Sequence, residues 1–292
     1  MKQKLQAVLL LITFAISIPS VQAQTAADSL AITQAHWHRT RTARGIHTLH
    51  AQFPTLYGGA QDIYIVQVNL RCRHLQVANH QGRALTTQVA ATQGAVAAIN
   101  GTYFDMTPNG RSVCLTAQHG KAHDFTGGDM GMLSNGALVL TSHHRRNPAP
   151  IIPWNPSNES ALYPDSIAQS SLRHADVMVS GPLMLSDGQS AAFRDESHVM
   201  GQHPRSAIAF RGHKAYLVVV DGRDASRATG VTIPQLAHLL RVMRMRYALN
   251  LDGGGSSVLW ARPADPSSPT SGILNHPSDG QERSVSTSII VK

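Results

Sequence analysis

Two short segments carry the residue types best suited to chemistry. Asp221-Gly222-Arg223 and Asp252-Gly253-Gly254-Gly255-Ser256-Ser257 each place a carboxylate directly after an apolar run. Two carboxylates facing one substrate can divide nucleophilic and proton-transfer work between them. The amides of residues 253–257, with the Ser256 and Ser257 hydroxyls, form a pattern able to cradle an anion. Three successive glycines lose much chain entropy on folding, which makes sense where backbone must approach a ligand closely. A plainer reading stands beside this one, because Asp-Gly after a strand is also ordinary turn chemistry. No lysine completes a nucleotide P-loop after the glycines, and no Gly-x-Ser-x-Gly elbow of a serine hydrolase occurs. The sixteen histidines include His36 and His38, His119 and His123, and His143 and His144. None has the spacing of a known zinc motif, so they read as surface or locally bonded residues.

The elements around the two aspartates suggest how they are positioned. Residues 232–247 have the strongest helical pattern, with Thr232 and Gln235 as a capping box and Leu236, Leu239, Leu240 and Met243 on one face. Apolar runs at 215–220 and 248–251 flank this helix. A β-α-β unit over 215–252 follows, with both aspartates leaving the sheet from one edge. Were the two strands neighbours, their axes would lie about 4.8 Å apart. Strands are also expected at 63–70, 95–99, 137–141, 207–210, 257–260 and 286–291, and a short helix at 86–92. The fold class predicted is α+β: one domain with a mixed sheet and flanking helices. Residues 145–166, rich in proline, asparagine and serine, read as a loop. Residues 24–60 are polar and weakly patterned and read as an irregular N-terminal extension to a domain at 61–292.

Residues 1–23 have the form of a signal peptide: Lys2 and Lys4, an apolar stretch over 8–18, then Val21-Gln22-Ala23. The apolar stretch is shorter than the roughly 20 residues a spanning helix needs. The expectation is an exported, periplasmic or secreted protein with no stable membrane insertion after leader removal. The net charge of +8 falls to +6 without Lys2 and Lys4, which favours anionic partners. The basic residues look scattered rather than arranged as a stripe, so nucleic acid is not expected as a partner. Cys72 and Cys114 are the two cysteines, and in an oxidising compartment they could pair.

Several motifs then fall in a recognisable order. Asn100-Gly101-Thr102-Tyr103-Phe104 is followed by Ser180-Gly181-Pro182-Leu183 leading to Asp187-Gly188, and by His203-Pro204-Arg205-Ser206-Ala207. Asp221-Gly222-Arg223, Gly230-Val231-Thr232, Asn250-Leu251-Asp252-Gly253-Gly254-Gly255-Ser256-Ser257 and Glu282-Arg283-Ser284-Val285 complete the series. From Ile63 to Val291 the chain resembles the phosphodiester glycosidase family. Thr102, Tyr103 and Ser284 depart from the residues usual at their places. The resemblance implies cleavage of a sugar-1-phosphodiester at the anomeric carbon, in a phosphorylated glycan or sugar-phosphate substrate.

It also implies roles for individual residues. The leaving group is a phosphate monoester, so it needs charge stabilisation more than protonation. Arg205 and Arg223 can grip phosphate oxygens, with Arg283, Asn100 and residues 253–257 as further contacts. Asp252 is the first choice for nucleophile or base, and Asp221 the second. Glu282 is a candidate acid/base residue or the partner that orients Arg283. The scheme names no cofactor and leaves a structural or catalytic divalent metal open. Two other classes remain: a non-catalytic binding module for phosphorylated envelope glycans, and a metal-dependent phosphodiesterase with Asp187, Asp221 and Asp252 as oxygen ligands.

Overall fold

The computed structural model describes residues 25–107, 109–127, 135–140, 151–154, 175–263 and 272–292. The expected leader at 1–23, His143 and His144, and most of the 145–166 loop lie outside the described residues.

Alternation of side chains builds three layers. An eight-stranded sheet runs in the order His38–Ala43, Ile46–Leu56, Gly59–Asn69, Lys214–Val220, Arg205–Arg211, Tyr247–Asn250, Leu183–Ser186, Gln189–Ser190. Its central strands bury both faces. Ile63, Ile65, Ala207, Ala209, Val218 and Val220 point to one side, where the helices Ala26–Gln34 and Ile233–Val242 contribute Ile32, Leu236 and Leu240. Val66, Val68, Ile208, Phe210, Leu217 and Val219 point to the other side. There they meet Val77, Ile99, Leu259 and Ile289 from a four-stranded sheet of Leu259–Ala261, Ala97–Asn100, Val285–Val291 and Leu75–Ala84. A five-stranded sheet centred on Asp176–Ser180 adds Leu138 and Met178 to the same core. Because the strands are buried on both sides, they read as near-continuous apolar runs. The architecture is α+β, and no helix among the described residues is long and apolar enough to cross a membrane.

Two points the sequence leaves open are answered, and one expectation, that of an irregular 24–60 segment, is corrected. The strands Lys214–Val220 and Tyr247–Asn250 run in the same direction but are not neighbours, because Arg205–Arg211 lies between them, antiparallel to both. The tight turn at Gly212 pairs Arg205–Arg211 with Lys214–Val220, whose other edge is taken by Gly59–Asn69, so Tyr247–Asn250 pairs with the free edge of Arg205–Arg211. The segment 24–60 is not irregular. It forms a capped helix, a hairpin and the start of a central strand, in register with residues 59–68. Finally, no disulfide joins Cys72 and Cys114: the first follows the strand Gly59–Asn69, and the second is buried beside Tyr103 and Trp154.

The helix Ile233–Val242 closes with both capping-box bonds, Gln235 N–H to Thr232 Oγ1 at 3.2 Å and Thr232 N–H to Gln235 Oε1 at 2.9 Å. Thr232→Ala should lower unfolding stability by about 1 kcal/mol in denaturant titrations. An unchanged midpoint would show that sheet packing alone fixes this helix.

Candidate active site

The strand ends assemble a cavity of about 330 Å³ lined by Tyr103, Ser197, His198, His203, Arg205, Arg223, Asp252, Gly253 and Gly254. Asp252 is partly buried at the end of the strand Tyr247–Asn250. Its N–H donates to the Gly101 carbonyl at 3.0 Å, and its carbonyl accepts from Asn100 Nδ2 at 2.7 Å. Gly253 N–H bonds the carboxylate Oδ1 at 2.9 Å. Burial pushes the Asp252 carboxyl up to about 6. The Ser256 hydroxyl, the Gly253 N–H and the Arg283 charge pull in the opposite direction. A carboxyl near 6 can hold or accept a proton close to neutral pH, which is the property needed of a general base.

Arg223 and Arg205 line the same cavity with different freedom. Arg223 is exposed, sits in the left-handed region at φ 64°, and lies against Gly254. It makes no ion pair among the described residues. Arg205 is 2% exposed. Its Nε donates to Val231 O at 3.0 Å, and its Nη2 to His198 O and Gly201 O at 2.9 and 2.7 Å. Much of its donor set therefore braces the cavity wall instead of facing ligand. Burial lowers Arg205 to about 10, so it stays charged at neutral pH.

Two histidines absent from the sequence assignments complete the wall. Tyr103 Oη donates to Gly181 O at 2.7 Å and contacts His198 Nε2 at 3.2 Å. Burial, then the Arg205 charge, pushes His198 down to about 4, leaving a neutral imidazole. His203 is lowered by the same two causes. The backbone of His203 exchanges hydrogen bonds with Val231, which carries it to the cavity rim. For His203 the sequence carries a signal, since it immediately precedes the Pro204-Arg205 motif; His198 lies six residues before Pro204.

Several assigned residues serve the protein itself. The Asn100 side chain is fully buried, bonding Asp252 O, Ser206 Oγ and Val258 N–H, so it positions the loop without reaching substrate. The glycine run is dictated largely by internal crowding. A Cβ on Gly253 would come within 2.7 Å of Pro204 O, and one on Gly255 would overlap Arg283 Nη2 and the Asp279 carboxylate. The amides of Gly253, Gly254, Ser256 and Ser257 bond Asp252, Pro204, Gly253 and Gly254, so the expected amide cradle is mostly filled. A short 3-10 turn over Gly254–Ser256 causes this, and it buries Ser256 and Ser257. Arg283 pairs with Asp279 at 2.5 Å. Glu282 accepts from Thr87 N–H and Oγ1 at 3.0 and 2.6 Å and so holds the start of the helix Thr86–Thr92. It does not line the cavity.

Asp221 is likewise committed elsewhere. It is 1% exposed and takes an ion pair from Arg227 at 2.9 Å, a bond from Asn275 Nδ2 at 3.1 Å and one from His276 N–H at 3.0 Å. Asn275 Nδ2 also donates to Ser257 O at 3.1 Å, tying Asp221 to the loop after Asp252. Asp62, fully buried, lies 3.6 Å from the same Arg227 nitrogen and accepts from Tyr64 Oη at 3.0 Å. Donor atoms of Asp62, Asp221 and His276 fall within 4.8 Å of one another, the geometry of a cation site, but Arg227 already supplies the positive charge. The set Asp187, Asp221 and Asp252 is not gathered: Asp187 sits on an exposed turn paired with Arg246.

Comparisons with known proteins agree with this architecture. A family profile for phosphodiester glycosidases matches residues 93–292, and the chain belongs to that family. Its members are hydrolases acting on phosphodiester-linked sugars. The fold resembles the catalytic domain of zebrafish N-acetylglucosamine-1-phosphodiester alpha-N-acetylglucosaminidase, auto-inhibited by its pro-peptide. The two are 17% identical with a TM-score of 0.60, over 88% of this chain and 87% of that one. A hypothetical protein from Synechocystis is also 17% identical, with a TM-score of 0.59 over 88% of this chain. This chain spans 63% of the Synechocystis protein. No curated protein sequence matches the chain.

Arg227 is the permanent counter-charge shared by two buried carboxylates; His50 beside Asp62 and His276 beside Asp221 add charge only when protonated. Arg227→Gln should cost about 3 kcal/mol at pH 7. Burial already raises the Asp221 carboxyl, so its charged form weakens the fold as pH rises. The deficit in Arg227→Gln should therefore shrink as pH falls and Asp221 takes up a proton. Denaturant titrations at pH 5 and pH 7 measure this; equal losses at both would place the ion pair outside the stability account.

Proposed function

We propose that the chain is an exported hydrolase that cleaves a sugar-1-phosphodiester at the anomeric carbon. The substrate class is an α-N-acetylglucosamine-1-phosphate type of diester, in glycan or exopolysaccharide metabolism. Residues 61–292 form its catalytic domain in this reading, completed by the helix and hairpin of residues 24–60. The observation that carries it is a carboxylate with its proton affinity raised to about 6, in one cavity with the exposed guanidinium of Arg223. Family membership and the substrate named for the zebrafish relative support the substrate class. The pattern of residues 1–23 supports export.

The chemistry follows from the charges. Asp252 takes a proton from water as the water oxygen bonds to the anomeric carbon. The bond from that carbon to the phosphate oxygen breaks, and its electron pair leaves with the phosphate monoester. Arg223 balances the developing negative charge, with Arg283 adding a positive field from beneath Gly255. A phosphate monoester departs without protonation, so one carboxylate in the cavity suffices. Neutral His198 offers a hydrogen bond to the sugar without adding charge, while the Tyr103 hydroxyl, bonded to Gly181 O, His198 and Asn250, holds the wall in place.

Hydrolysis in ¹⁸O-water separates the two bonds that could break. Label should appear in the sugar; label in the phosphate would mean attack at phosphorus and would overturn the reading. Asp252→Asn should lose at least about 10²-fold in kcat, the scale of a missing general base. It should stay folded and gain about 1–2 kcal/mol, because a carboxyl with a raised pKa weakens the fold as pH climbs through 6. Arg223→Gln should cost about tenfold or more in kcat/KM on the diester, and little on a neutral glycoside.

A further inference from the structure

A second concave surface lies at the far end of the same sheet. It is a groove of about 570 Å³ whose lining includes Arg39, Arg41, Arg44, Arg71, Lys214 and His47, and it contains no acidic residue. Its origin is legible in the hairpin. Arg39 and Arg41 are two residues apart on the strand His38–Ala43, so they share a face. Arg44 follows in the turn, Arg71 comes from the turn after Gly59–Asn69, and Lys214 begins the strand paired with Asn69. No acid occurs between Asp28 and Asp62, nor between Asp62 and Asp105. None of the five cations makes an ion pair among the described residues. Arg39 is bonded only to the neutral Gln67, at 3.3 Å.

Such a cluster repels itself and is held by the fold alone. Burial and the charges of Arg39, Arg41 and Lys214 disfavour protonation of His47 at its centre. Five unneutralised cations in one trough are electrostatically incomplete until an anionic partner lies along them. We infer that this groove binds an anionic polysaccharide strand, at a site separate from the cavity that holds Asp252. Lys214 and Val220 are the two ends of one strand, with Asp221 just beyond, so the groove and the cavity lie about 20 Å apart. The inference rests on the groove and holds whatever bond the cavity hydrolyses.

The lining favours a glycan over other polyanions. It offers no Phe, Tyr or Trp ring on which bases of a single-stranded nucleic acid could stack, and its one imidazole, His47, is flanked by the arginines. The exposed large apolar residues among the described ones are Leu30 and Met106, and neither lines the groove, so it has no apolar anchor for a membrane surface. Arg and Lys donors with Gln67 and Asn69 amides suit a carboxylated or phosphorylated sugar chain, which presents charges and hydroxyls alternately.

Polygalacturonate and neutral dextran test this by titration calorimetry at about 0.15 M salt, where weak surface attraction is screened. The full chain should bind polygalacturonate and not dextran. The triple variant Arg39→Gln, Arg41→Gln, Arg71→Gln should bind it at least tenfold more weakly, with a shallower dependence on salt and an unchanged melting temperature. Cys72 lines the groove and gives a second readout in the unmodified protein. Polygalacturonate should slow its alkylation by iodoacetamide severalfold, and dextran should not. Equal binding of dextran, an unaffected triple variant or unprotected Cys72 would overturn the inference. Tighter binding to duplex DNA or to phosphatidylglycerol vesicles than to polygalacturonate would overturn the glycan assignment.

Discussion

The site depends on one buried side chain, Asn100, which joins two sheets that share a core. It ends the strand Ala97–Asn100 of the four-stranded sheet and reaches into the eight-stranded one. Its amide holds the Asp252 carbonyl, and its oxygen accepts from Ser206 and Val258. A neutral amide can donate and accept at once, so it satisfies three polar groups that neither sheet can reach with its own ladder. Unmet, each would carry a desolvation penalty of about 1–3 kcal/mol. With them met, the chain leaves the sheet at a fixed angle, and the Asp252 side chain is set at the cavity wall.

A second device fixes the other side of the loop. Asp221, paired with Arg227, holds Asn275, and Asn275 holds the Ser257 carbonyl and the Leu259 N–H. The two strand-end aspartates therefore divide labour by environment. Asp221 is surrounded by donors and a cation and acts as a brace. Burial raises the proton affinity of both carboxyls, but Asp252 has fewer partners and lines the cavity, so of the two it is the one open to a substrate. Arg205 follows the same logic, since its bonds to three carbonyls stiffen the wall that carries His198.

The sequence makes the interior easy to read and the site harder. The helix Ile233–Val242 follows from its capping box and apolar stripe, and the short helix Thr86–Thr92 from its bounding residues. The Asp252 motif is visible because glycines and serines rarely cluster without a steric reason. The reason differs from the expected one: Gly253 and Gly255 make room for Pro204 and Arg283. Which side chains meet across strands is not written locally. Glu282 stands beside Arg283 in sequence yet bonds Thr87, and Asp221 looks like Asp252 until Arg227 and Asn275 close on it. The hairpin over 38–56 is hidden by its polar residues: the first strand is exposed at four successive positions, so no apolar alternation marks it. For the same reason its arginines look scattered along the chain and gather only when the strands pair.

The central claim is that a desolvated Asp252 supplies the base, and the pH dependence of kcat/KM on a sugar-1-phosphodiester tests it directly. The diester keeps one charge across the range, so the profile reports the protein. A working base must be deprotonated, so activity should fall on the acid side with a single inflection near pH 6, where burial sets the Asp252 carboxyl. His198, pushed down to about 4, would place the inflection two units lower. A profile that stays flat from pH 7 down to pH 5 would contradict the account.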